Sequence, residues 1–469
     1  MGDIAARNGR GMGLSGGPKG AKAVFQERFG GAFATLQTLK SVREVSGLPR
    51  EAALAVLDGN VMMSGIPTSI DTFAGYVGVL SSQIRAAHEA AAHVVVVFDE
   101  PAAMTMAKRD EQRRRDAQRR PKKVVCSEEL VEGITDDNYT TAMLSADGFN
   151  AKTLMNHRPA RARYFDAVCL ALLRGFAARG AHRNGSLTFD GVDRRGAERE
   201  WGAPRVAGVL STHQEFWGAL LAREAPIGEG DLKLTDVTQR VHDAAQVPGG
   251  LVAGVVLNLV VTIDTDSFAI ELLQQDRRLR RDDGHRGDDE RTIVCFKERS
   301  RKRQGDDFPT PGQYLCCDMH VFHEAVAEYF YGTLSLSREI VQQQPAAMAL
   351  LAAALACCGC DFVEVKGMRV DLVLPIVRDI VRNHREHLGA MAHVFAAERA
   401  TVLRAASALE FLISEFADAV SDMPRMQKAH ASASGACRAQ VMRALWTCSY
   451  WHQKEYTDCI DWGFASTSG

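Results

Sequence analysis

The run His93-Val94-Val95-Val96-Val97-Phe98-Asp99 constrains the fold of this chain more than any other feature. Four consecutive valines leave no polar face, so the segment fits a strand covered on both sides, the setting of a central parallel strand. A second run, Ala52-Ala53-Leu54-Ala55-Val56-Leu57-Asp58, also ends in an acid, and the stretch between the two predicts a helix from about Ile70 to Ala92. Strand, helix and strand make a βαβ unit. The expected fold class is therefore α/β, with a central, mainly parallel sheet flanked by helices. A third strand is expected over Val252 to Ile263, ending in Asp264-Thr265-Asp266.

With 469 residues, 46% of them hydrophobic, the chain can bury a substantial core, which excludes a disordered protein. Its 56 Lys and Arg nearly balance 58 Asp and Glu, for a formal net charge of -2, so a polyanion must be held by local clusters rather than by a global field. No apolar segment follows Met1, and the longest apolar stretch is interrupted by Asn258. An intracellular protein with no membrane partner is expected. Eleven scattered cysteines do not have the spacing of a disulfide scaffold and read as reduced thiols. Cys316, Cys317, His320 and His323 invite a zinc reading, but they are too crowded for paired knuckles. Met319, Val321 and Phe322 indicate instead the first turn of an amphipathic helix.

Helical patterns run from Ala21 towards Phe33, from Met104 to Arg120, from Tyr164 to Ala178, and from His320 to Tyr331. Others cover Pro345 to Cys358, Val370 to Arg385 and Glu398 to Val420. The division expected is a core over 1–275 with an insertion near 121–160, then a charged, exposed and mobile loop over 276–312. A helical part over 313–380 would complete the active site, and a helical C-terminal region would span 381–469.

Seven acids end strand-like runs or sit in Gly-rich turns: Asp58, Asp99, Glu229, Asp231, Asp264, Asp266 and Asp361. Any one of them alone reads as a turn or a helix cap. Together, at the carboxyl ends of parallel strands, they could surround two divalent ions, the arrangement that phosphodiester hydrolysis uses. Mg²⁺ suits such a site because it takes few protein oxygens and keeps several waters. The helix that follows Asp99 carries Lys108, Arg109, Gln112, Arg113 and Arg115, which could present cations to a phosphate beside those metals.

The order of these islands resembles the Xrn-type 5′→3′ exonuclease and flap-endonuclease superfamily. Met12-Gly13-Leu14-Ser15-Gly16 looks like its amino-terminal motif, displaced behind an eleven-residue leader. Val56-Leu57-Asp58-Gly59-Asn60 is similar to its first strand and acid, and Phe98-Asp99-Glu100-Pro101 to its Phe-Asp-Gly-x-x-Pro. Gly228-Glu229-Gly230-Asp231-Leu232-Lys233-Leu234 resembles the Xrn signature Pro-Gly-Glu-Gly-Glu-His-Lys-Ile, with Asp in place of the second Glu. Ile263-Asp264-Thr265-Asp266-Ser267 looks like the Asp-x-Asp of both branches. Cys358-Gly359-Cys360-Asp361-Phe362 is similar to the motif carrying the last acid, although the Val365-Lys366-Gly367-Met368 that follows lacks the second Gly of the helix-two-turn-helix element.

The resemblance implies a PIN-like nuclease core with a mostly helical C-terminal region, two Mg²⁺ (or Mn²⁺) ions held by the seven acids, and a 5′-phosphorylated RNA or DNA substrate gripped by Lys108, Arg109, Gln112, Arg113 and Arg115. It implies a metal-dependent 5′→3′ exonuclease. The Glu-Gly-Asp-x-Lys motif leans towards RNA; a structure-specific flap-type DNA endonuclease and a catalytically inactive binding or assembly protein are the alternatives. A Rossmann-type nucleotide enzyme is disfavoured, because Asp58-Gly59-Asn60-Val61-Met62 has neither GxGxxG nor a Walker lysine.

Overall fold

The valines of the 93–97 run are shared between two cores: Val94 and Val96 pack on one face of the sheet, Val95 and Val97 on the other. The protein, as a computed structural model, is described at residues 21–64, 66, 70, 73–100, 158–180, 185–193, 206–224, 227–228, 230–264, 266–280, 290–297, 313–332, 346–358, 368–384, 411–412 and 414–429. Its sheet has eight strands: β1 (Phe33–Leu36), β2 (Ala53–Asp58), β3 (His93–Val97), β4 (Ser186–Val192), β5 (Gly208–Ser211), β6 (Leu257–Thr262), β7 (Arg291–Lys297) and β8 (Tyr314–Asp318). The order is β1-β8-β7-β6-β2-β3-β4-β5. The five central strands β7, β6, β2, β3 and β4 are parallel, and the edges are antiparallel through β8 with β7 and β1, and through β5 with β4.

In chain order the helices are α1 (Ala21–Arg28), α2 (Leu39–Ser46), α3 (Gly59–Ser64), α4 (Phe73–Ala90), α5 (Arg158–Ala178), α6 (Gln214–Leu220), α7 (Gly230–Ala245) and α8 (Asp266–Arg280). They continue with α9 (Met319–Tyr331), α10 (Ala346–Cys357), α11 (Val370–Asn383) and α12 (Pro424–Ala429). Side chains of α2 to α5 cover the face that holds Ala53, Ala55 and Leu57 of β2. Helices α1 and α6 to α11 cover the face that holds Leu54 and Val56. Two-sided burial explains why these strands read as continuous apolar runs: each buried valine contributes about 1.5–3 kcal/mol, and neither face has water to satisfy.

The α/β class and the mainly parallel sheet are as the valine run implied. Several boundaries differ. The third expected strand, Val252 to Ile263, begins only at Leu257, because residues 251–254 form a turn with Gly254 at φ 81°. The expected loop over 276–312 contains β7, whose Thr292-Ile293-Val294-Cys295-Phe296 is buried in the sheet. Charges flank that strand on both sides, which hides a short apolar run in a window dominated by Arg and Asp. The segment from 313 opens with β8 rather than a helix, so the sheet continues past 275. The helix from Ala21 ends at Arg28, and a single 3-10 turn leads into β1. Strands β4 and β5 were not foreseen. The helix expected over 104–120, nearly all of the insertion expected near 121–160, and most of the helix expected over 398–420 lie outside the described residues.

From β2 the chain winds through β3 to β4 on one side, and β6 and β7 are added on the other side of β2. The winding direction therefore reverses between β2 and β6. In doubly wound sheets this is where a crevice opens at the carboxyl ends of the strands.

Candidate functional site at the strand ends

Two of the expected acids flank that reversal point. Asp58 ends β2, and Asp264 follows β6, its own amide donating to Thr262 Oγ1 at 3.0 Å. Asp58 is buried, and its Oδ1 accepts the amide of Val61 at 3.1 Å, so it also caps α3. Burial, then the nearby charges of Asp99 and Asp264, push its carboxyl up to about 7, against the pull of the Val61 and Asn60 amides. Asp58 thus lies in the field of both other acids.

Asp99 lies just beyond β3, next to β2 in the sheet. Its Oδ1 accepts the amide of Gly230, the first residue of α7, at 2.8 Å, and the Glu100 amide donates to the carbonyl of Gly228 at 2.8 Å. A carboxylate at the positive end of a 16-residue helix is stabilised there. Gly230 allows the approach, since a Cβ would stand 3.1 Å from Asp99 Oδ1. Asp231, in the first turn of α7, accepts Ser267 Oγ at 2.5 Å, which joins α7 to the first turn of α8. A chain of contacts thus runs from Asp99 through Gly230 and Asp231 to Ser267, in the first turn of α8 and three residues after Asp264.

Of the seven expected acids, Asp58, Asp99, Asp231 and Asp264 are placed at this end of the sheet. Asp266 opens α8, and its side chain is not among those described; Glu229 and Asp361 lie outside the described residues, as do Lys108, Arg109, Gln112, Arg113 and Arg115. Among the described residues no group of three His, Cys, Asp or Glu side chains is close enough to hold a metal ion. What bears on divalent ions is the donor type: the acids placed here offer carboxylate oxygens, the ligands of Mg²⁺ and Mn²⁺, and the carboxyl of Asp58 is raised by burial first and by the charges of Asp99 and Asp264 after it.

The zinc reading fails on strand geometry. Cys316 and Cys317 are successive residues of β8 and point into opposite cores, so they cannot converge on one ion with the His residues of α9. The helix expected around Met319, Val321 and Phe322 is α9, capped by Asp318. Trp217, Phe25 and Tyr164 are core residues.

The sequence reading missed a second polar group beside the acids. Asp190 of β4 is buried and pairs with Arg223 at 2.8 Å and with Lys233 of α7 at 3.6 Å. Lys233 also reaches Glu100 at 3.3 Å, and Arg223 is held by Asp236, as is Arg240. A cleft opens here between the end of β4 and the β5 and α6 segment, lined by Glu100, Asp190, Gly208, Gln214 and Arg223. A signal existed: Leu187-Thr188-Phe189-Asp190-Gly191 repeats the apolar run, Asp and Gly of Val56-Leu57-Asp58-Gly59.

No helix among the described residues is long and apolar enough to cross a membrane. Compared with known proteins, the chain matches no family model and no curated protein sequence.

Proposed function

We propose that this chain is a divalent-metal-dependent 5′→3′ exonuclease of PIN-like fold, acting on 5′-phosphorylated nucleic acid, with RNA favoured over DNA. The observation that carries the reading is the grouping of Asp58, Asp99 and Asp264 at the reversal point of a doubly wound sheet, where Asp58 feels both other charges. Two Mg²⁺ or Mn²⁺ ions held by Asp58, Asp99, Glu229, Asp231, Asp264, Asp266 and Asp361 would supply an activated water and charge neutralisation at the leaving oxygen. The protein's own part is to hold the acids in register. Asp99 ties the β3 end to the start of α7, and Asp231 ties α7 to α8. Lys108, Arg109, Gln112, Arg113 and Arg115 would follow the β3 end in sequence and meet the substrate's phosphates.

The test is degradation of end-labelled 5′-phosphorylated and 5′-hydroxyl RNA and DNA with Mg²⁺ or Mn²⁺, comparing wild type with Asp264→Ala. The expected result is stepwise loss of nucleotides from 5′-phosphorylated RNA by the wild type, and a loss of at least about a hundredfold in the variant. Cleavage at a flap junction in DNA would replace the exonuclease with the endonuclease reading. Equal absence of cleavage in both proteins on every substrate would sink the enzyme and leave a binding protein.

A further inference from the structure

Lys233 has no exposed surface, an unusual place for an ammonium group. Its Nζ lies 3.3 Å from Glu100 Oε2 and 3.6 Å from Asp190 Oδ1. Those partners come from the ends of two neighbouring strands: Glu100 directly follows Asp99 beyond β3, and Asp190 is in β4. Lys233 itself is on the first turns of α7, two residues after Asp231. The backbone makes room for it. Gly191 has φ 89°, and a Cβ there would stand 3.0 Å from Lys233 Nζ and 2.8 Å from the Phe98 carbonyl oxygen.

A fully desolvated charge is expensive to bury and survives only when paired, and a set of apolar side chains in place of the whole buried charge group is often as stable or more so. Stability alone therefore does not call for a lysine here. What the cation does is join three segments, two of which bear candidate metal ligands. The same junction holds the Asp99 to Gly230 bond and the Glu100 to Gly228 bond. On the far side Arg223 and Asp236 extend the alternation of charges through Asp190, so that Lys233, Arg223 and Arg240 face Glu100, Asp190 and Asp236.

We propose that Lys233 is a positioning residue: its buried ammonium clamps the Asp99-Glu100 strand end to the start of α7 and so sets the separation of the acids that bind metal. The proposal rests on the nuclease reading for its catalytic consequence, but the clamp itself can be measured without activity. Lys233→Met removes the charge at similar length. Glu100→Gln, at a partly exposed site, weakens the same link while Lys233 keeps Asp190.

In both variants amide hydrogen exchange at Gly230 is expected to rise roughly tenfold or more relative to Val260 in the central strand, whose exchange reports global opening. In an active enzyme kcat should fall roughly ten- to a hundredfold with KM within about twofold, and the Mg²⁺ concentration needed for half-maximal rate should rise. A merely structural lysine would change Gly230 and Val260 exchange together and leave the Mg²⁺ dependence alone. Should Lys233→Met fail to fold, Glu100→Gln carries the test. Unchanged Gly230 exchange relative to Val260 overturns the clamp, whatever the outcome of the nuclease assay. Changed exchange with unchanged kcat and Mg²⁺ dependence in an active enzyme overturns its catalytic role.

Discussion

Asp58 has two roles that pull its carboxyl in opposite directions. As the cap of α3 it is favoured ionised, through the Val61 amide, yet burial and the charges of Asp99 and Asp264 favour the neutral form and prevail. A carboxyl raised from 3.8 to about 7 in the folded protein ionises first in the unfolded chain, so it lowers stability as pH climbs through that window. Asn keeps the cap but not the charge. Without metal, Asp58→Asn should raise the melting temperature at pH 8 and have little effect at pH 4; Mg²⁺ should stabilise the wild type and not the variant. A wild type whose melting is indifferent to Mg²⁺ at pH 8 would count against ion binding at Asp58. His93 shows the opposite sign. Burial first, then the nearby His213 and Arg50, lower its ring to about 4, so the unfolded chain takes up the proton earlier and stability is lost as pH falls from about 6.5 to 4. Its share is about 3 kcal/mol. His93→Gln, retaining a partner for Ser186 Oγ, should flatten that limb in urea unfolding between pH 4 and 6.5.

At the scale of elements, the site depends on how strands end. β2 passes straight into α3, and Gly59 lets the Phe98 ring lie against the turn, since a Cβ there would stand 2.4 Å from the ring. β4 ends differently. Its pairing with β5 shifts register between Asp190 and Val192, and Gly191 adopts a left-handed backbone beneath the Phe98 carbonyl. Gly191→Ala should cost about 1–3 kcal/mol from the backbone alone, with the clash adding to it. Chemical denaturation should report it as a lower midpoint with an unchanged slope. The acids after β2 and β6 were legible because each closes an obvious apolar run. Lys233 was not, because nothing in Asp231-Leu232-Lys233-Leu234 distinguishes a buried lysine from a solvated one. Its burial follows from Asp190 and Glu100, more than forty and more than one hundred positions away.

Across the whole molecule the sheet carries the two cores, and its five central parallel strands are covered on both faces. Amides of β2, β3 and β6 should exchange only through global unfolding, whereas those of the edge strands β1 and β5 should exchange through smaller openings. Equal protection in β5 and β2 would contradict the strand order. Strands β7 and β8 also bring Cys295 and Cys316 into direct register, with their sulfurs 3.8 Å apart inside the core, where the hydrogen bond with Cys316, then burial, push the Cys295 thiol well above its ordinary range. Nothing in the spacing of eleven cysteines indicated that pair, because register is a property of the assembled sheet.

The sequence by itself determined the class of fold and one edge of the site. Apolar runs that cannot face water must be central strands, and an acid at the end of such a run must lie at the rim of the sheet. Tertiary structure decided which rims meet. The reversal between β2 and β6 sets Asp58 near Asp264, and the β3 and α7 junction seats Asp99 on Gly230. Around Lys233 it assembled a charge network from four separate segments. Strand order and helix docking follow from burying all the apolar faces at once, and no local pattern in the run of acids that ends these strands encodes that global condition.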